Sequence, residues 1–275
     1  MPINVQNGVS DSEVDQRIKS LEDEGATVTK IRKDATWTLV AVRNDSEIEG
    51  QRDPMANVAP MSDETPETPS VATNDKALGV LSERYESNGN PGAIGQDSTG
   101  GFSYGMYQIA TRTGTMRKFL NFLVNVTPDF AATLSAAGGT DGALRGTDTF
   151  KTSWRELAKD AVFADAQHAF IQATHYEPFI DRLKAIDLDV NKRSFALKNV
   201  AWSVAVQHGP ANNVFKNALN GKQPSSMNDP SIINDVYAER SNVDKYFSRS
   251  SPNVKASLKK RFVQERQDAL KLLEV

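Results

Sequence analysis

Residues 82–110 read SERYESNGNPGAIGQDSTGGFSYGMYQIA. The stretch opens as the tail of a helix. Ala77, Leu78, Leu81 and Tyr85 recur at near-helical spacing behind Asn74, a residue type that caps helix starts. The helix breaks at Asn88-Gly89-Asn90-Pro91, because glycine and proline punctuate the chain. A glycine-rich segment follows, and Ile94 to Ile109 reads as a small β element. Glu86 stands at the helix exit and Asp97 in the glycine-rich part. Two carboxylates separated by a turn-rich connector are the minimum equipment for cutting a glycosidic bond.

Each residue in the stretch has a chemical reading and a plainer one. A partly desolvated Glu86 keeps its proton near neutral pH and serves as general acid. Otherwise it is a solvated helix-end acid, as Glu83 one turn earlier is read to be. Asp97 either activates water and steadies an oxocarbenium ion or is a turn residue. Ser103 is read as holding that water through its hydroxyl. Tyr104, Tyr107 and Gln108 suit sugar binding, since aromatic faces stack on pyranose rings and an amide bonds hydroxyls. The competing reading for the two tyrosines is a hairpin core. Trp154 and Trp202 are read as core.

Outward from this stretch, the chain divides by composition. Residues 1–45 read as a small α+β unit, with a Ser10/Glu13 capping box opening a helix through Val14, Ile18 and Leu21. Gly25 ends that helix. Two β-like runs follow, Ala26 to Ile31 and Ala35 to Val42, with Trp37, Leu39 and Ala41 on one face. This unit is either a structural appendage or a targeting and docking module. Residues 46–74, rich in proline, acids and small polar residues, read as a linker. Residues 75–275 read as a mainly helical catalytic domain. Thr127-Pro128, Asp229-Pro230 and Ser251-Pro252 mark cap-plus-proline helix starts, Ser194 caps another, and Gly138-Gly139 closes one.

Composition narrows the function. The net charge of −3, from 35 acids against 32 bases, carries no nucleic-acid footprint. The first residues have neither a basic start nor an apolar core, so no secretory signal is expected, and no apolar run is long enough to span a bilayer. With no cysteine, thiol catalysis, disulfides and thiolate metal sites are excluded. The three histidines form no metal motif, and Asp187-x-Asp189-x-Asn191 departs from a calcium loop at Lys192 and Lys198. No metal and no cofactor is expected.

Glu86-Ser87, then Asn90-Pro91, then Gly105-Met106-Tyr107-Gln108 resembles the motif of lytic transglycosylases and goose-type lysozymes. Ala205-Val206-Gln207-His208-Gly209-Pro210 resembles their Tyr-Asn-Ala-Gly motif, with Gln207-His208 in place of the usual Tyr-Asn pair. The run Asp97, Gly100, Ser103, Gly105 is similar to the lysozyme of T-even phages, with serine for threonine. Residues 82–210, including Gln167-His168 and Thr174 to Pro178, resemble lysozyme-like domains of phage tail proteins and type VI secretion effectors. The resemblance implies an α+β, mainly α fold. A two-lobed lysozyme-like domain with a small β-hairpin element would follow the α+β N-terminal domain. It implies a muramidase that cuts between N-acetylmuramic acid and N-acetylglucosamine, with Glu86, Asp97 and Ser103 catalytic. Tyr104, Tyr107, Gln108, Gln207 and His208 would bind substrate. The implied partners are peptidoglycan, a delivery carrier (phage tail or secretion spike) and an immunity protein. The enzyme, expected to be a monomer, would be made in the cytoplasm and act on the wall of a target bacterium.

Three alternatives stand beside it. A lytic transglycosylase needs no second carboxylate. A non-catalytic wall-binding or phage structural module would keep the fold alone. Gly101-Phe102-Ser103-Tyr104-Gly105 also matches the Gly-x-Ser-x-Gly elbow of serine hydrolases, with His168, His175 and His208 downstream, but QDSTGGF before the serine is no core strand.

Overall fold

The computed structural model of the protein describes residues 3–24, 26–33, 35–42, 78–86, 89–96 and 101–274. The linker read at 46–74, the cap read at Asn74, Gly25 and Asp97 lie outside these residues. The chain forms two compact units, one of Met1–Gln51 with Ser87–Pro178 and the other of Arg52–Glu86 with Phe179–Val275.

In the first unit, β1 (Ile3–Ser10), α1 (Val14–Asp23), β2 (Thr27–Lys33) and β3 (Thr36–Val42) build an antiparallel sheet in the order β1-β3-β2. The two-residue alternation of Trp37, Leu39 and Ala41 puts all three against Val14, Ile18 and Leu21 of α1, as expected. β1 was not legible, because its alternation is broken between Gln6 and Val9, where Gly8 takes φ 73°. Ser10 Oγ donates to the Glu13 side chain at 2.6 Å, but Glu13 itself stands at the N-cap of α1 with no side-chain cap bond, so the expected capping box opening at Ser10 does not form. On the sheet's other face Ile31 and Val40 are buried, and Thr29 Oγ1 donates to Gln172 at 2.7 Å.

The same unit holds β4 (Ile94–Gln96), β5 (Phe102–Tyr104) and β6 (Ile109–Ala110), an antiparallel sheet in chain order. Five helices follow: α3 (Thr115–Val126), α4 (Pro128–Ala136), α5 (Gly139–Arg145), α6 (Asp148–Leu157) and α7 (Ala161–Ile171). Their core is aromatic: Phe119, Phe150, Trp154, Phe163 and Phe170 are all within 1% of full burial. α4 stops at Ala136, and the glycines expected to close it sit just beyond, Gly139 opening α5. α7 runs into a π-helix, Gln172–Tyr176, and then α8 (Glu177–Leu183).

The second unit is built on α9 (Phe195–His208), whose sequence FALKNVAWSVAVQH is apolar nearly all round and therefore buried nearly all round. Ser194 caps it as expected, accepting from Leu197 N. Packed on α9 are α2 (Val80–Glu86), α11 (Asp229–Arg240) and α13 (Pro252–Lys271), with α10 (Val214–Ala218) and α12 (Val243–Tyr246) alongside. α11 is capped by Asn228, one residue before the expected Asp229. The Asp229 carboxylate is engaged instead by Arg193 and by the Ser194 amide. No helix among the described residues is long and apolar enough to cross a membrane. The architecture is the α+β, mainly α one expected.

Candidate active site

Glu86 is the last residue of α2, and its backbone place at the helix exit is as expected. α2 is short, so its position is set by tertiary contacts rather than by helix propensity. The Gly79 amide donates to Asn199 Oδ1 of α9 at 2.9 Å. Tyr85, beside Glu86, donates its hydroxyl to Asp268 Oδ2 of α13 at 2.6 Å, and Arg84 pairs with the same oxygen at 3.0 Å. Burial and the Asp268 carboxylate hold the Tyr85 phenol far above its usual range, so it remains a donor.

In the other unit, the turn between β5 and β6 is held from inside. Gly105 N donates to Ala93 O at 2.8 Å, and Met106 N donates to Gln167 Oε1 of α7 at 2.9 Å. Gln167 Nε2 and Trp154 Nε1 both donate to Pro91 O, at 3.1 and 2.9 Å. A Cβ on Gly105, which has φ 80°, would lie 2.1 Å from Gln167 Oε1, so glycine is required there. The turn ends at Gln108 with φ 49°, and the Gln108 side chain folds back to donate to Gly105 O at 3.1 Å. Ser103 Oγ donates to Gln108 Oε1 at 2.5 Å. Gly95 on β4 leaves room for this pair: a Cβ there would meet Gln108 Oε1 at 2.6 Å and Ser103 Oγ at 2.7 Å.

The structure thus brings Ser103 and Gln108 together. It sends the tyrosines elsewhere. Tyr104 is wholly buried, its hydroxyl donating to Ala143 O at 2.9 Å and its ring 5.2 Å from both Phe150 and Trp154. No ring face is left for a sugar, so the hairpin-core reading describes Tyr104; burial pushes its phenol up to about 12. Tyr107 is 4% exposed, with its hydroxyl 2.7 Å from His168 Nδ1.

Gln207 and His208 belong to a buried polar cluster of the second unit. Arg240, with no exposed surface, donates to His208 Nε2 at 3.3 Å, Gln207 Oε1 at 2.6 Å and Glu265 Oε1 at 2.9 Å. Glu265 also accepts from Tyr237 at 3.0 Å, Arg261 at 3.0 Å and Ser203. Burial alone would raise the Glu265 carboxyl, but Arg240 and Arg261 outweigh it and bring it down to about 2. Burial, then Arg240 and Arg261, push His208 well below 6.5, so its ring is neutral with the proton on Nδ1. His208, expected to line a cleft, is 4% exposed and packs against Tyr246 and Phe247.

Each histidine has its partner away from Ser103: Tyr107 for His168, Thr174 for His175 and Arg240 for His208. Ser103 therefore has no histidine base, and the serine-hydrolase reading fails on geometry. Sequence reasoning did not single out Asp268, Arg240 or Glu265, and it named Gln167 only within a resemblance, without a role. Arg261 and Glu265, four residues apart, and Asp268 with Gln264 and Lys271 give local signals; the other contacts join residues 25 to 184 positions apart.

Two outcomes follow. Gln167→Leu removes the side-chain acceptor of the Met106 amide and one of the two donors to the Pro91 carbonyl. It should lower stability by about 1–3 kcal/mol and sharply accelerate hydrogen exchange at Met106. Unchanged Met106 exchange would refute this role. For pH, the unfolded chain binds a proton at His208 below about 6.5, while the native chain does not. Below about 4.5 the same holds for Glu265, down to about 2. Both effects remove stability as pH falls, each at about 1.4 kcal/mol per pH unit within its window. Thermal unfolding of this unit should therefore weaken steadily from pH 6.5 and more steeply below 4.5; a flat profile between pH 7 and 4 would contradict it.

Residues 78–266 match the family described as type VI secretion system spike protein VgrG3-like, C-terminal. The type VI secretion system spike protein VgrG3 of Vibrio cholerae serotype O1 (strain ATCC 39315 / El Tor Inaba N16961) is 35% identical over 201 residues. The match covers 71% of this chain and 19% of that protein, so the chain spans about a fifth of this relative's length. Among solved structures, native chitosanase from Bacillus subtilis MY002 is similar with a TM-score of 0.51 at 16% identity, covering 70% of this chain and 86% of that one. A GH46 chitosanase from Gynuella sunshinyii in complex with chitotetraose gives 0.50 at 14% identity, covering 71% and 84%. At those identities the likeness is one of fold. Together with the family match over most of its length, the sequence and the architecture lead to one conclusion: the chain belongs to the VgrG3-like C-terminal family of type VI secretion system spike proteins.

Proposed function

We propose that this chain is a cell-wall glycosidase, and specifically a muramidase that cleaves the β-1,4 bond between N-acetylmuramic acid and N-acetylglucosamine. The observation that carries the reading is Glu86 at the exit of a helix clamped at both ends, in a chain of this family. Glu86 protonates the glycosidic oxygen. Asp97 directs water or steadies the charged intermediate. The Ser103–Gln108 pair orients the water: the carboxamide fixes the serine proton, which leaves the serine lone pairs as acceptors. Gln108 contacts sugar hydroxyls; Gln207, expected to join it, has its carboxamide oxygen held by Arg240 and its nitrogen buried, and takes no part. The β4–β6 sheet supports the reading because its turn is held rigid by Gln167 and Trp154.

The family places the chain with secretion spikes, which supports delivery by such a spike to the wall of a target bacterium and an immunity protein in the producing cell. Residues 1–45 serve as the targeting part. Mass spectrometry of digested peptidoglycan tests the reading: reducing-end muramic acid products are expected, and intact polymer would refute it.

A further inference from the structure

Phe102 lies beside Ser103 on β5, and successive side chains of a strand point to opposite faces. Its ring therefore leaves the Ser103–Gln108 side, yet it stays half-buried where Tyr104 is engulfed. One flank of the ring rests on Gly146 (φ 61°), where a Cβ would approach ring carbons to 2.3 Å. Lys151 Nζ stands 4.3 Å from the ring centroid. Next to the ring is a solvent-open cavity of about 560 Å³ lined by Phe102, Thr111, Arg112, Leu144 and Arg145, the last three exposed.

The cations here stand without ion pairs among the described residues, as Lys19 and Arg117 do elsewhere, whereas several lysines are paired. Lys159, Lys184 and Lys192 each pair with the acid three residues earlier. Lys151 has Asp148 at that spacing and Arg145 has Asp141 one turn back, yet neither pair forms. Arg112 also makes no ion pair among the described residues. Arg112 and Arg145 thus line an aromatic and aliphatic floor, Lys151 stands over the Phe102 ring, and none of the three pairs with a carboxylate among the described residues.

We infer that this cavity binds a short carboxylate-bearing peptide. On the peptidoglycan reading above, on which this inference rests, the peptide is the stem that branches from muramic acid. Guanidinium forks of Arg112 and Arg145 match carboxylates in a bidentate way. Phe102 and Leu144 receive alanine methyl groups, in the usual division of a pocket between an apolar wall and a few directed polar groups. The site selects glycan that still carries its peptides.

The test is a titration of the soluble stem tetrapeptide, L-Ala-D-Glu-diaminopimelate-D-Ala, into the wild type and an Arg112→Gln/Arg145→Gln variant. Both side chains are exposed, so the variant folds. The variant should bind about tenfold more weakly, and wild-type binding should weaken between about 50 and 300 mM salt. Cleavage by the same variant should slow about tenfold on intact peptidoglycan and stay unchanged on glycan strands stripped of peptide by an amidase. Absence of tetrapeptide binding by the wild type, or equal slowing on both polymers, overturns the site. Salt-sensitive tetrapeptide binding by a wild type that cleaves neither polymer upholds the site and refutes the muramidase reading alone.

Discussion

Glu86→Gln is expected to abolish cleavage of purified peptidoglycan, a loss on the order of 10²- to 10⁴-fold or more, because positioned proton transfer contributes that much to such reactions. Glutamine keeps the shape of the side chain and removes only the transferable proton. The clamp on α2 runs from Gly79 to Asn199 and from Arg84 and Tyr85 to Asp268, so thermal unfolding should move little. The products separate the remaining chemistries. Reducing-end muramic acid from the wild type, absent with the variant, identifies a muramidase and its acid together. Products lighter by one water identify a lytic transglycosylase, in which a substrate hydroxyl attacks and Asp97 has no catalytic part. Wall binding without any product, in both proteins, identifies a binding module that keeps only the fold.

Glu265→Gln is expected to destabilise the second unit by about 3–5 kcal/mol, the range for removing one partner from a buried ion cluster. Glu265 has no exposed surface and faces two guanidiniums, Arg240 at 2.9 Å and Arg261 at 3.0 Å. A neutral amide takes from Arg240 and Arg261 the carboxylate charge they share and cannot accept from Ser203, Tyr237, Arg240 and Arg261 together. Against a typical domain stability of about 5–15 kcal/mol, such a loss approaches unfolding. The control is a double substitution, Glu265→Leu with Arg240→Leu, which should cost well under the sum of its two singles. Urea denaturation reads both; a loss under about 1 kcal/mol for Glu265→Gln would mean that water already solvates this cluster.

Much of the architecture is written in local pattern. The helix exit at Glu86, the glycine break and the short β element came from spacing and turn chemistry alone. So did the buried α9, the caps at Ser194 and Ser251, and the inward face of Trp37, Leu39 and Ala41. These features depend on contacts within a few residues, where periodicity and capping act. The absence of cysteine and the charge balance likewise set limits that no folding could change.

Tertiary structure decided which side chains reach the surface. Tyr104 and Tyr107 look alike in sequence. The chain reverses between them at Gly105 and again at Gln108, both with positive φ, so the faces of the side chains cannot be counted through the turn. His208 looked like a polar residue for a cleft and became part of the core, because Arg240, 32 residues later, brings a buried charge that needs acceptors. Gln167 is unremarkable on its helix until Met106 and Pro91 arrive, 61 and 76 residues away in sequence, with backbone groups to satisfy. Short-range order follows from residue type; the pairing of buried polar groups follows only from which distant segments the folded chain brings within hydrogen-bonding distance.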